Sequence, residues 1–267
     1  MSDLAPVDAL RSLPYPLLLA VLRRLEKERG PEAVAALRYD ALFWARPAQL
    51  INDLDNLATV EVFVGERRTG KTWAARHLFV ELVRTGRARL PRIVSATDAA
   101  IVEVVLDGES GIKTWLPPPR EGKYQWFKSD GYAGTLHLYG TKIVCCSAAA
   151  PGQAIGMSRD VTWADDPAGW VESCGVDIAT EAWTQVLKSN SQGQSTVIVA
   201  TTAAGAAFLA DLLSPEQLND PSFIRIHDLG AVEANRGNLA PNYIKHIVAD
   251  LRRKLQWNDV PHVSPWA

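Results

Sequence analysis

Cysteine is scarce in this chain: 267 residues carry three, the adjacent pair Cys145 and Cys146 and the single Cys174. That number and spacing exclude a disulfide framework and a cysteine-only zinc site. Within the apolar run Ile143-Val144-Cys145-Cys146 the pair reads as small buried strand residues, and a reducing, cytoplasmic compartment is expected. Long hydrophobic runs are also missing. No apolar stretch reaches the ~20 residues that span a bilayer, and Met1-Ser2-Asp3 opens without the basic and apolar regions of a signal peptide. No membrane contact is expected. Nor is there an excess of positive charge. Lys and Arg total 28 against 30 Asp and Glu, a formal net charge of -2. Contact with a polyanion must then use a local basic patch, not the overall field. His77, His137, His227, His246 and His262 are scattered without metal-ligand spacing and read as structural or surface residues. Internal repeats and low-complexity linkers are absent.

What is present describes a globular chain. Hydrophobic residues make up 47% and charged residues 22%, enough for one large domain, or one domain with a small appendage. The nine tryptophans, without interleaved basic residues, read as core and interface material.

Leu17, Leu18, Val21, Leu22 and Leu25 recur at helical spacing until Gly30-Pro31, and a second helical stretch runs to about Phe43. Residues 1–45 are therefore expected to form a small N-terminal helical lobe, and residues 46–267 the main domain. From Ala58 the pattern alternates. Strands are expected at Val60–Val64, Arg92–Ala96, Val161–Ala164, Thr196–Ala200 and Phe223–Ile226. Helices are expected at Lys71–Arg84, Asp98–Leu106, Asp177–Lys188, Ala206–Leu213 and Pro241–Gln256. Between Tyr124 and Cys146, short antiparallel strands with Gly131, Gly134 and Gly140 near the turns are expected, after the stiff Pro117-Pro118-Pro119. The fold class this predicts is α/β, with a mainly parallel central sheet covered by helices on both faces.

Gly65-Glu66-Arg67-Arg68-Thr69-Gly70-Lys71-Thr72 satisfies G-x-x-x-x-G-K-[ST] at every fixed position. An apolar strand leads in and an amphipathic helix leads out, as a phosphate-binding loop (P-loop) requires. Gly65 and Gly70 let the backbone curl so that successive N–H groups face a phosphate chain, and the helix N-terminus adds its positive dipole end. Lys71 is expected to reach the β- and γ-phosphates of ATP, and the Thr72 hydroxyl to sit on Mg²⁺. Hydrolysis needs more than this loop. Val161-Thr162-Trp163-Ala164-Asp165-Asp166 supplies an apolar strand ending in two acids, the Walker B pattern. Asp165 is expected to hold Mg²⁺ through water, and Asp166 to polarise the attacking water. Arg67 and Arg68 are placed to supply positive charge at the γ-phosphate in cis, an effect worth ~10³–10⁵ in rate.

Taken together, these residues resemble the ATPase half of phage large terminases, the motors that package DNA. Arg67 holds the place of that family's P-loop arginine. Arg46-Pro47-Ala48-Gln49-Leu50 resembles its upstream element, which implies that Gln49, with a donor and an acceptor side by side, recognises adenine. Gly156-Met157-Ser158-Arg159-Asp160 leading to Asp165-Asp166-Pro167-Ala168-Gly169-Trp170 is similar in order and spacing to its Walker B region. Val199-Ala200-Thr201-Thr202 stands where the family has paired threonines that couple hydrolysis to movement. Glu233-Ala234-Asn235-Arg236-Gly237-Asn238-Leu239-Ala240-Pro241 resembles a late Asn-x-x-Asn-Leu segment. The resemblance runs from about Arg46 to Leu251. It implies a P-loop ATPase that translocates double-stranded DNA into a procapsid and self-associates into a ring. A portal protein and a small terminase subunit are the implied partners, and the host cytoplasm, on the procapsid vertex during packaging, is the implied place.

Three departures qualify it. Asp166 replaces the usual Glu, one methylene longer, so slower turnover or recruitment of Glu172 is expected. Ile155-Gly156 lacks the usual Arg. The chain ends soon after the last ATPase element, so the family's nuclease is expected on a separate chain or cut away, with no DNA cleavage here. A neighbour's cation is expected to complete the site in trans, from Arg120, Lys123 or Lys128. The alternatives are another P-loop DNA-dependent ATPase, helicase- or recombination-like, and a weakly hydrolysing nucleotide-binding assembly module.

Overall fold

A computed structural model describes residue 10 and residues 13–36, 39, 45–66, 68–116, 123–129, 131–155 and 158–230. Eight strands form one sheet: β1 Val60–Val64, β2 Arg92–Ser95, β3 Tyr124–Phe127, β4 Gly134–Leu138, β5 Thr141–Ser147, β6 Val161–Asp165, β7 Thr196–Thr201 and β8 Ile224–Asp228. Their order across the sheet is β3-β4-β5-β2-β6-β7-β1-β8. From β5 to β8 every pairing is parallel, and only the β3-β4 and β4-β5 pairings are antiparallel. The α/β class expected from the sequence, a mainly parallel sheet flanked by helices, is the one observed.

Among the described residues, helices α1 Tyr15–Arg29 and α2 Pro31–Ala36 precede the sheet, separated by Gly30 at φ 84. The connections then carry α3 Lys71–Arg84, α4 Asp98–Ala100 continuing as a π-helical turn over Ile101–Leu106, and α5 Ile112–Trp115. After β6 come α6 Pro167–Cys174, α7 Val176–Ser189, α8 Ala203–Asp211 and α9 Pro215–Asn219. The helix expected over Pro241–Gln256 and the Glu233–Pro241 segment lie outside the described residues, as do His246 and His262. None of the described helices is long and apolar enough to cross a membrane.

Alternation along each strand divides the apolar residues between two cores. Phe63, Ile93, Trp163 and Ile198 face one side, where Trp73, Leu78, Phe79 and Leu82 of α3 pack with Ile101 and Val105. Val62, Val94, Ala164, Val197 and Val199 face the other, under Trp170, Trp183, Val186 and Leu209 of α6, α7 and α8. Burial on both faces explains why these strands read as continuous apolar runs rather than alternating ones. The connection β1-α3-β2 crosses the sheet in one direction on the first face. The β6-to-β7 and β7-to-β8 connections return on the second, as right-handed crossovers require. The direction of winding therefore changes among β6, β7 and β1, and the carboxyl ends of these strands open onto the crevice where open α/β sheets bind ligands.

Local chemistry sets the details. The hairpin β4-β5 turns through Tyr139 at φ 51 and Gly140 at φ 81, two left-handed residues that match the strand twist. Gly134 opens β4 because the Trp126 ring of β3 lies over it: an added Cβ would stand 2.2 Å from that ring. Two buried arginines have no acid partner among the described residues. Arg92 donates to Ser189 Oγ at 2.9 Å and to Thr162 Oγ1 at 3.1 Å, and burial draws its pKa down to about 10. Arg76 sits over the rings of Trp73 and Trp115, 5.1 and 4.8 Å from their centroids, and burial draws its pKa down to about 9. Glu61, fully buried in β1, accepts from Ala58 N at 2.7 Å and meets His227 Nε2 of β8 at 2.7 Å.

Phe79 ties α3 to the sheet: fully buried, it lies 5.8 Å, centroid to centroid, from the Trp163 ring of β6. Phe79→Ala should cost about 3–5 kcal/mol through lost burial and a residual cavity. A urea titration should show a lowered midpoint with an unchanged slope; a change within about 1 kcal/mol would mean that α3 does not rely on this contact.

Candidate functional site

Parallel register aligns three strand ends. Val64 of β1 lies beside Thr201 of β7, and Asp165 of β6 lies beside Ala200 on the other flank of β7. The ends of β1 and β6 are thus two strand spacings apart, roughly 10 Å.

The loop after β1 curls as its glycines predict. Gly70 caps α3 in the left-handed region at φ 83, and Arg68 also has a positive φ of 68. Gly65 is required for space: a Cβ there would stand 2.4 Å from Thr69 Oγ1. The Glu66 carbonyl, inside the curl, accepts from Thr69 Oγ1 at 2.9 Å and from Lys71 Nζ at 3.2 Å. Lys71 and Thr72 open α3, where backbone N–H groups lack partners within the helix. Arg67 lies outside the described residues.

Two flanking segments grip this loop. Arg46 donates through Nη2 to Thr69 O at 3.0 Å and to Leu229 O at 3.1 Å. Leu229 N in turn donates to Val64 O at 2.8 Å, and Glu66 N to Gly230 O at 3.4 Å. Pro47–Gln49 forms a 3-10 turn, and Gln49 is buried in it. Its Oε1 accepts from Arg46 N at 2.9 Å and its Nε2 donates to Thr69 O at 3.1 Å. Adenine recognition by Gln49 requires that pair of groups to face a base edge; here Nε2 holds the loop at Thr69 and Oε1 holds the backbone of Arg46.

The acids occupy different environments. Asp165 is 4% exposed, and its Oδ1 is buried without a hydrogen-bond partner. Burial raises its pKa to about 7, the Asp166 charge adds to the rise, and Lys71 opposes it. Lys71 and the two acids therefore share one electrostatic neighbourhood. Asp166 is half-buried and left-handed, φ 50 and ψ 69, at the N-cap of α6, a conformation that Asp tolerates better than most residues. Among the described residues no group of three or more His, Cys, Asp or Glu could hold a metal ion.

At the end of β7, Thr201 is fully buried and its Oγ1 has no hydrogen-bond partner. It points at Gly205 of α8, where an added Cβ would lie 1.9 Å from it. Thr202 is half-buried and leads into α8 with extended backbone and no side-chain cap bond. The structure thus gathers Gly65, Glu66, Arg68, Thr69, Gly70, Lys71, Thr72, Asp165, Asp166, Thr201 and Thr202 at one edge of the sheet, with Arg46 and Gln49 behind the loop. Lys123 and Lys128 flank β3, six strand spacings from β1 and roughly 29 Å away, so they cannot serve their own loop. Arg120 and Gly156 lie outside the described residues, and Glu172 is exposed on α6.

Sequence reasoning missed three features. The clamp by Leu229 and Gly230 comes from a distant strand end and leaves no local signal. Gly205 was readable only as a helix glycine. Helix α6 was announced by Asp166-Pro167, a cap followed by Pro at the first helical position. Its Trp170 closes a bond to Asp165 O at 2.8 Å.

Asp165 makes stability depend on pH with a definite sign. Its folded pKa lies above the ordinary aspartate value, so the folded chain binds the extra proton. The stability associated with that proton is fully present below the unfolded value of 3.8 and is lost as pH rises through about 7. Without nucleotide or divalent metal, Asp165→Asn should raise Tm at pH 8 and change it little at pH 5. Equal shifts at both pH values would contradict a buried, protonated Asp165.

No protein-family model matches the chain, and no curated protein matches it. Among solved structures, the chain is similar to the large terminase of a thermophilic bacteriophage in complex with ATP-gamma-S, at 11% identity and a TM-score of 0.43. The likeness covers 79% of this chain and 47% of that one, so the chain spans about half the length of the protein it matches.

Proposed function

We propose that this chain is the ATP-hydrolysing motor subunit of a viral DNA-packaging machine, a large-terminase ATPase that moves double-stranded DNA into a procapsid. One observation carries the nucleotide part. A glycine-cornered loop opens into a helix N-terminus bearing Lys71, and the same lysine acts electrostatically on a buried Asp165 whose Oδ1 has no hydrogen-bond partner. An unpaired buried polar atom costs about 1–3 kcal/mol, and a bound ligand accounts for keeping one.

Mg²⁺ and ATP fit this donor set. The Thr72 hydroxyl and Asp165 are hard oxygen donors, few enough to leave room for phosphate and water. Thr72 and Asp165 would hold Mg²⁺, which would supply charge neutralisation for the transferred phosphoryl group. Lys71 exchanges the Glu66 carbonyl for the phosphates, while the backbone N–H groups of Gly70, Lys71 and Thr72 at the start of α3 hold the chain. Asp166 accepts a hydrogen bond from the attacking water and orients it, and Arg67 or Arg68 adds positive charge. Arg46 and Gln49 keep the loop in shape. Thr201 and Thr202, between loop and acids, are placed to pass the nucleotide state into α8.

The DNA part rests on the order of motifs from Arg46 through the phosphate loop, the paired acids and the paired threonines. It carries with it residues 1–45 as a helical lobe and 46–267 as the ATPase domain, action in the host cytoplasm, and self-association into a ring. Portal protein, small terminase subunit and a nuclease subunit or domain are its further partners. Lys123 and Lys128, far from their own loop, suit a site on a neighbouring copy. A second reading, a nucleotide-binding assembly module with little turnover, is favoured by the short carboxylate at Asp166.

Steady-state Mg²⁺-ATP hydrolysis should be measured across a protein concentration series, with and without double-stranded DNA, beside Lys71→Ala. Turnover per subunit should rise with concentration and with DNA, and fall at least ~10²-fold in the variant. Tight ATP binding without Lys71-dependent turnover would sink the motor reading and leave the module. Asp166→Glu separates these further. A rise in kcat is expected from an under-powered site, whereas an unchanged or lower kcat would mark Asp as the adapted residue.

A further inference from the structure

We propose that Trp170 is a positioning residue for Asp165 and Asp166, holding the peptide that joins them so that both carboxylates keep their directions. The inference rests on the reading of Asp165 as the metal-side acid and Asp166 as the water-side acid.

One peptide unit lies between the two acids, and both of its hydrogen-bonding groups are engaged. Its N–H, from Asp166, donates to Ala200 O of β7 at 2.8 Å. Its C=O, from Asp165, accepts from the indole Nε1 of Trp170 at 2.8 Å. The pairing of β6 with β2 ends at Val94 and Ala164, one residue before Asp165. The indole therefore caps a carbonyl where that ladder has stopped. Trp170 also reaches the second acid, because its backbone N–H donates to Asp166 O at 3.2 Å. The carbonyls of both acids end on this one residue.

The bond matters because the chain between them is held in a disfavoured shape. Asp166 lies at φ 50 and ψ 69, a left-handed conformation that side chains seldom adopt and that persists where the surroundings over-determine it. Pro167 follows at the first helical position. A Cβ on Gly169 would stand 3.1 Å from Asp166 Oδ2, so that carboxylate leans over the first turn of α6. Release of the Asp165 carbonyl would leave the peptide anchored on one side alone, through Asp166 N and Ala200 O, and able to tilt about that bond with both side chains. Indole satisfaction is not general in this fold. Trp163 and Trp183, similarly buried, leave Nε1 without a hydrogen-bond partner, whereas Trp170, 0% exposed, spends its N–H on Asp165.

Two variants test this. Trp170→Phe removes the donor with some volume. Replacement of Trp170 by 3-benzothienylalanine keeps the bicyclic shape and removes only the N–H. Three quantities should be read against the parent: affinity for a fluorescent ATP analogue in EDTA, calorimetric Mn²⁺ affinity with a non-hydrolysable ATP analogue bound, and kcat against Mg²⁺ concentration. The expected result is nucleotide affinity in EDTA within about twofold of the parent, with Mn²⁺ affinity weakened ~10-fold or more, the size typical for a group that orients a metal ligand. The Mg²⁺ needed for half-maximal rate should rise and kcat should fall. A benzothienylalanine variant with parental Mn²⁺ affinity and Mg²⁺ profile would overturn the inference. So would a loss of metal-free nucleotide affinity and Tm with no change in metal dependence, which marks a purely structural residue. A parent chain with no Lys71-dependent hydrolysis and no metal-dependent nucleotide binding would overturn the function and this inference together.

Discussion

Strand β7 joins the two halves of the site. Its last two carbonyls point to opposite flanks: Thr201 O accepts from Gly65 N at 3.3 Å, and Ala200 O accepts from Asp166 N at 2.8 Å. The phosphate loop hangs from one and the paired acids from the other. A shift of this strand end by a fraction of an ångström is therefore felt by both, because hydrogen bonds of this length lose strength steeply with misalignment. Packing fixes the strand end in turn. Thr201 is fully buried, and Gly205 leaves it the space a Cβ would take. The helix carrying that glycine also approaches the start of α6, with Ala168 N only 2.9 Å from the same absent Cβ. Loop, acids and two helix starts thus share one tightly packed junction, and interiors packed this densely transmit strain rather than absorb it.

Charge is distributed with the same economy. The acid under the loop is costly to ionise while no cation is bound, and the nearby lysine offsets only part of that. Arg76 and Arg92, neither with a carboxylate partner among the described residues, lie in opposite cores and are held by indole rings and by hydroxyl and carbonyl oxygens respectively. Burying a cation in this way costs stability unless its hydrogen-bonding and packing are well matched. Arg92 opens β2, at the end of the sheet opposite the loop and the acids.

Legibility in the sequence followed the range of the interaction. Strands β1, β6 and β7 and helices α3 and α7 were readable because their apolar runs and helical rhythm are local. The phosphate loop was readable because Gly65 and Gly70 are demanded by the loop's own backbone. The antiparallel edge was anticipated between Tyr124 and Cys146 with Gly134 near a turn; it opens β4 just after the bend at 131–133, and the Trp126 ring above it was not foreseen. Helix α6 was missed as a helix because it is short and begins with Pro-Ala-Gly, a poor run by propensity. The grip of Arg46 on Leu229 joins residues 183 positions apart, and no spacing rule reaches that far. Gln49 shows the same limit in reverse: its type announces amide recognition, but only the fold shows that Thr69 and Arg46 already occupy both ends.

Under the proposed nucleotide-binding function, the contact between Lys71 and the Glu66 carbonyl has a kinetic side. A loop whose lysine already has an oxygen to hold does not need to assemble when a phosphate arrives; it exchanges one acceptor for another. The charged phosphate is the stronger acceptor, so the exchange is favourable, and the entropic cost of ordering the loop has been met in advance. The return exchange is equally available when the product leaves, since Glu66 can recapture the lysine as the phosphate departs. A loop built this way is ordered before the phosphate arrives and stays ordered after it leaves.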